Sequence, residues 1–228
     1  MTRSATRNRR AVGLGALPLI SALLTACAVP APIRAPLGTP LPIVSGSTVQ
    51  EMGLGPLAAR LDPSAANISI QYGWFCEPAS QRRLASDAVP FSRGDVQLAL
   101  QAVLEPLGYN FRSAPNSVFE RAAPLALVLG GTVTKVVVNT CHPYTGRASL
   151  DIGMPNVVKG NAFVEVTWEL FSSSNERVVY KSSHQGSFAT ENTISGGVPT
   201  ILNQALTANL RNLAADPAFR DAVAQAKN

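Results

Sequence analysis

The chain has 228 residues, 46% of them hydrophobic and 14% charged, and a formal net charge of +5. The charge is unevenly placed: four of the 19 basic residues fall within the first ten positions and all 14 acidic ones after position 50, leaving 15 against 14 beyond the leader. A near-neutral main body lacks the basic footprint of a nucleic-acid binder, and the length suits one hydrophobic core.

Arg3, Arg7, Arg9 and Arg10 precede AVGLGALPLISALLTA, an apolar run of 16 residues interrupted by Gly13, Gly15 and Pro18. A membrane-spanning helix needs roughly 20 apolar residues. A charged stretch followed by a short apolar one is instead the pattern of an export signal. The run ends on Leu24-Thr25-Ala26-Cys27, and the following AVPAPIRAPLGTPLP cannot form a core.

Those four residues resemble the lipobox of bacterial lipoproteins. The resemblance implies that residues 1–26 are a signal peptide, that Cys27 becomes the acylated N-terminus, and that the protein is held at a membrane through it. Ala28 after the cysteine implies outer-membrane sorting, with the protein facing the periplasm. Residues 27–42 then form a tether in which Pro30, Pro32, Pro36, Pro40 and Pro42 favour extended polyproline geometry, with a reach of roughly 45 Å. Residues 43–228 are the expected single periplasmic domain.

Two further cysteines, Cys76 and Cys141, would face an oxidising compartment after export, where two thiols of one small domain pair. The competing arrangement, a metal site of Cys76, Cys141, His142 and His184, has no closely spaced ligand pair.

Within the domain, residues 43–62 are expected to be an irregular lead-in with at most a helical turn. Residues 67–75 alternate Ile68, Ile70 and Tyr72 with polar partners and predict a half-buried strand, followed by a polar loop. Ser92 with Asp95 approximates a capping box, and Val96, Leu100, Val103, Leu104 and Leu107 carry a helical stripe that Pro106 and Gly108 end. YNFRSA then enters the sheet. PLALVLGGTVTKVVVNTC is the longest strand-prone run, with a bulge or close backbone approach expected at Gly130-Gly131.

NAFVEVTWELFSSSNERVVYKSSHQGSF reads as a hairpin about SSSNE. Val164, Val166, Trp168 and Leu170 face the core, while Glu165 and Glu169 lie on a wet face roughly 13 Å apart, too far for a glycosidase pair. Pro199 suits the first position of a long helix whose stripe runs from Ile201 to Leu213, and Asp216-Pro217 caps a short final one. The fold class expected is α+β, a mainly antiparallel sheet with helices packed on one face.

No catalytic or metal-binding residue is assigned and no cofactor is expected. His142 and His184 read as surface or turn residues, no GxSxG elbow is present, and SGGVPT lacks the lysine of a phosphate loop. Trp74 and Trp168 read as packing residues. The order LALQAVLEPLGY, ALVLGGTVTKV and VEVTWELFSSSNERVVY resembles auxiliary lipoproteins of ABC-type lipid transporters, penicillin-binding-protein activators and the curli-secretion lipoprotein. It implies a non-catalytic adaptor for an envelope protein partner. The alternatives are a lipid or glycan binder with its groove between sheet and helices, and a hydrolase.

Overall fold

A computed structural model of the chain describes residues 51–63, 66–73, 75–112, 125–143 and 157–225, all lying within one compact unit. Cys27, the signal and the tether lie outside the described residues, as does Trp74. Among the described residues no helix is long and apolar enough to cross a membrane.

The architecture is α+β, with a seven-stranded sheet and three helices on one of its faces. Its spine is β5 (Leu127–His142), followed by β6 (Val157–Ser172) and β7 (Arg177–Ser195) in one long antiparallel meander. On the other edge of β5, β1 (Met52–Ala59) pairs in parallel with the first half and β2 (Ala66–Tyr72) in parallel with the second. Arg60 N donates to Val133 O at 2.9 Å, carrying the ladder into the step between them. β3 (Glu77–Arg83) flanks β2 antiparallel, and the short β4 (Phe111–Arg112) flanks β1 in parallel.

Two expectations are corrected. The lead-in is a strand, because Met52 and Leu54 are buried against Leu127 and Leu129 although Gly53, Gly55 and Pro56 obscure the pattern. Its register shifts between Leu54 and Leu57, and the carbonyls freed there are taken by Arg93, whose guanidinium donates to Leu54 O at 2.5 Å and Gly55 O at 2.9 Å. The polar loop after the first predicted strand is β3, turned back at Gly73 (φ 80°) and Cys76 (φ 51°) with Cys76 N donating to Gly73 O at 3.1 Å.

Helix α1 (Arg93–Leu104) starts as expected, with Asp95 N donating to Ser92 Oγ at 3.0 Å. A 3-10 turn over Glu105–Leu107 ends at Gly108 in the left-handed region, φ 89°. Helix α2 (Gly197–Ala215) begins two residues before Pro199, which therefore occupies the third position rather than the first. The substitution costs nothing, since the first-turn N–H groups lack helical partners anyway. Helix α3 (Pro217–Gln225) is capped by Asp216, whose Oδ1 accepts from Ala218 N at 2.8 Å.

The alternation in β5 and β6 sorts the faces. Leu129, Val133, Val136, Val138, Val164, Val166, Trp168 and Leu170 are buried beneath the helices. Close approach at Gly131 is observed, since a Cβ there would meet the Trp168 ring, but the β5–β6 register shift falls between Val133 and Lys135 instead. The helix-distal face carries Glu165 and Glu169, and neither is simply solvated. Glu165 accepts from Thr134 Oγ1 at 3.0 Å and Gln185 Nε2 at 2.8 Å, and Glu169 pairs with Lys181 at 2.7 Å.

Candidate functional site

Cys76 and Cys141 form a disulfide across 65 residues, with Cα atoms 5.3 Å apart. Both thiols are thereby removed from any metal set, and the Cys76, Cys141, His142, His184 arrangement does not exist. His142 instead stacks on Tyr72, ring centroids 5.6 Å apart, and burial pushes its pKa below the usual histidine value. The bond ties the β2–β3 turn to the end of β5.

His184 is a correction to the sequence expectation of a surface or turn residue. It lies on the helix side of β7, its side chain 13% exposed. Tyr180 Oη donates its one hydrogen to Asp216 Oδ2 at 2.7 Å, so its 2.6 Å contact with His184 Nε2 requires the histidine to donate from that nitrogen. Asp216 spends its other oxygen capping α3. Burial raises the Tyr180 pKa above the ordinary tyrosine range, reinforced by the Asp216 carboxylate that accepts its hydrogen bond. Burial lowers the His184 pKa, partly opposed by Asp216. The cluster therefore spends Tyr180 Oη, His184 Nε2 and both Asp216 oxygens internally and seats the α2–α3 corner on β7.

The titration has a definite sign. A histidine whose folded pKa lies below its unfolded value binds more protons in the unfolded chain, so stability is complete above the unfolded value of 6.5 and is lost as pH falls through it. His142 contributes in the same direction. Thermal midpoints measured from pH 7.5 down to pH 5 are expected to fall on the acid side, and the fall should flatten in the His142→Asn, His184→Asn double variant. An unchanged acid slope in that variant would show that neither histidine is buried neutral.

Asn209 is the polar residue inside the α2 apolar stripe, fully buried. It accepts from Trp168 Nε1 at 2.8 Å and donates to His184 O at 2.5 Å, while Asn212 donates to Gln185 O at 2.7 Å. The sequence reading missed this pair, although an asparagine between Leu206 and Leu210 was the available signal.

On the helix-distal face, near the disulfide, lies an open groove of about 840 Å³. Its lining includes Gln71 from β2, Asn139 and Cys141 from β5, Lys159 and Asn161 from β6, and Glu191 from β7. Asn139 Nδ2 donates to Asn161 Oδ1 at 3.2 Å. The alternative of a lipid or glycan binder placed its groove between sheet and helices; among the described residues that side is filled by core side chains, and this open groove lies on the opposite face. Among the described residues, no group of three His, Cys, Asp or Glu side chains is placed to hold a metal.

No protein-family model matches the chain, and no curated protein sequence does. Solved structures similar to it include a DUF330-family protein from Xanthomonas campestris, 11% identical with a TM-score of 0.37 over 82% of this chain and 93% of that one. PelC from Paraburkholderia phytofirmans, solved as a dodecamer, is 17% identical with a TM-score of 0.37 over 78% of this chain and 93% of its own. A candidate lipoprotein from Caulobacter crescentus is 17% identical with a TM-score of 0.23 over 61% of this chain and 86% of that chain. At these identities and scores nothing of their roles is carried over to this chain.

Proposed function

We propose that the protein is an exported lipoprotein, anchored in the outer membrane through Cys27, that serves as a non-catalytic adaptor for a larger envelope complex. The observation that carries this reading is the division of the sheet into a helix-packed face and a helix-distal face across β5, β6 and β7. The only compact acid–base cluster among the residues described above, Tyr180, His184 and Asp216, is occupied in seating helices. What remains presented is surface. At one end of the helix-distal face, Phe171 and Val178 sit opposite each other in the β6–β7 ladder and are 38% and 48% exposed. Exposed apolar pairs beside charged neighbours such as Glu169 and Lys181 suit a protein contact.

The lipobox supports anchoring, because the thiol of Cys27 would carry the first acyl chains, each buried methylene contributing about 0.8 kcal/mol. Cys27→Ser is expected to leave an unprocessed precursor without acyl label. Phe171→Arg is expected to keep anchoring and thermal stability while losing partner capture from crosslinked membranes. Normal acylation in Cys27→Ser would remove the lipoprotein reading. Undiminished capture with Phe171→Arg would move the contact elsewhere.

A further inference from the structure

The groove beside the disulfide has a lining that selects among ligand chemistries. Three carboxamides, Gln71, Asn139 and Asn161, approach it from three adjacent strands. Asn139 and Asn161 are already joined at 3.2 Å, which orients the pair and leaves Asn139 Oδ1 as an acceptor and the Asn161 amide as a donor. Among the described residues, the charges in the lining are Lys159 and Glu191, one of each sign.

An acyl chain laid along these amides would strip them of water without replacing their hydrogen bonds, which costs more than apolar contact returns. A polyanion would gain one cation and meet one carboxylate. A chain of neutral hydroxyl and amide groups meets paired donors and acceptors instead.

Two backbone features shape the place. Gly160 has φ 139°, and a Cβ on it would run into the Asn139 carbonyl, so the β6 backbone lies directly against β5 at the groove floor. The β6–β7 register shifts between Val158 and Gly160, which takes Lys159 out of register with β7 while it stays opposite Cys141 of β5. At the other side the disulfide holds the Gly73–Cys76 turn, and Phe75, next to Cys76 of the groove wall, is 89% exposed. An aromatic ring held out on a crosslinked turn costs little ordering entropy when a ligand packs on it.

We propose that this groove is an oligosaccharide subsite, in which the carboxamides of Gln71, Asn139 and Asn161 bond sugar hydroxyl or acetamido groups and Phe75 packs on the apolar face of a ring. The subsite stands beside the adaptor reading rather than upon it.

The test uses the full-length lipidated protein in a detergent without a sugar headgroup. The protein is titrated with N-acetylchitotetraose and with maltotetraose, followed by calorimetry and saturation-transfer NMR. At least one tetrasaccharide is expected to bind in the range of about 0.1 to 1 mM, and Phe75→Ala and Asn161→Ala are each expected to weaken it about tenfold. Palmitate is expected not to displace it. Phe75 is exposed and adjoins Cys76 of the lining, so its variant is expected to keep the fold and tests whether the ring reaches a sugar in the groove even if Asn161→Ala lowers stability. Silence of both sugars up to about 10 mM overturns the subsite. So does sugar binding that neither variant weakens, or an extended decapeptide that binds in a Phe75-dependent way while sugars do not. Acyl labelling at Cys27 and partner capture would be untouched by any of these failures.

Discussion

Replacing Gly186 by valine is expected to abolish the cooperative thermal transition and near-UV circular dichroism of the protein. The backbone of α2 passes so close to β7 that a Cβ on Gly186 would collide with Ala205 O and with the backbone of Asn209. Relief requires α2 to lift. That would part Asn209 from both Trp168 Nε1 and His184 O, leaving an indole N–H, a carboxamide and a carbonyl buried without partners. Each such group costs about 1 to 3 kcal/mol and overpacking a similar amount. The sum reaches the roughly 5 to 15 kcal/mol by which domains are stable. Ser187→Ala, one residue along and on the opposite face, is the control: its buried hydroxyl has no hydrogen-bond partner, so removing it should change stability little. A Gly186→Val protein melting within about two degrees of the wild type would refute the close contact, since even 1 kcal/mol shifts a midpoint by a few degrees.

Loss of the disulfide is expected to be the second large effect. Closing 65 residues lowers the entropy of the unfolded chain by an amount worth about 4 kcal/mol in the chain-entropy model. Cys141→Ser, Cys76→Ser and reduction of the wild type should therefore lower the urea midpoint by the same amount. The double variant should respond to reductant no further. The β2–β3 turn is the region expected to lose hydrogen-exchange protection first, because without the bond to Cys141 its tie to the end of β5 is reduced to the Gly73 N to His142 O hydrogen bond and the adjoining β2 ladder. Equal midpoints with and without reductant would show that the unfolded chain is not constrained by this pair. A larger shift in one single variant than in reduced wild type would instead report the free thiol left behind.

The β5–β6–β7 meander was legible because its code is local. Val164, Val166, Trp168 and Leu170 alternate with Glu165, Thr167 and Glu169, and a strand with one buried face must alternate that way. The α1 and α2 stripes, the Ser92 cap, the Gly108 stop and the Asp216 cap were readable for the same reason, each being a relation within about four residues. Pairing of Cys76 with Cys141 was expected from there being two cysteines in the domain of a chain whose first residues read as an export signal.

β1 escaped because Gly53, Gly55 and Pro56 break the alternation, and its partner lies on a strand some 75 residues later in the chain. Its carbonyls are rescued by Arg93 from a helix that local pattern cannot connect to it. β3 escaped because an edge strand of polar residues has the composition of a loop until β2 is known to need a neighbour. The Tyr180, His184 and Asp216 cluster required the turn from α2 into α3 to return Asp216 to β7, a separation of 36 residues between Tyr180 and Asp216. Asn139 and Asn161 stand some 22 residues apart in two separate strands, and become one side of a groove only because antiparallel register sets them opposite each other.

The α+β class and the core-facing residues are therefore properties of the chain written in neighbouring positions, where side-chain period and composition suffice. The split pairing of β5 with β1 and β2, the seat of α2 on Gly186, the internally spent histidine and the groove on the helix-distal face were decided by tertiary structure. Each depends on which distant backbones come within hydrogen-bonding or van der Waals distance, and no periodicity within a single element encodes that.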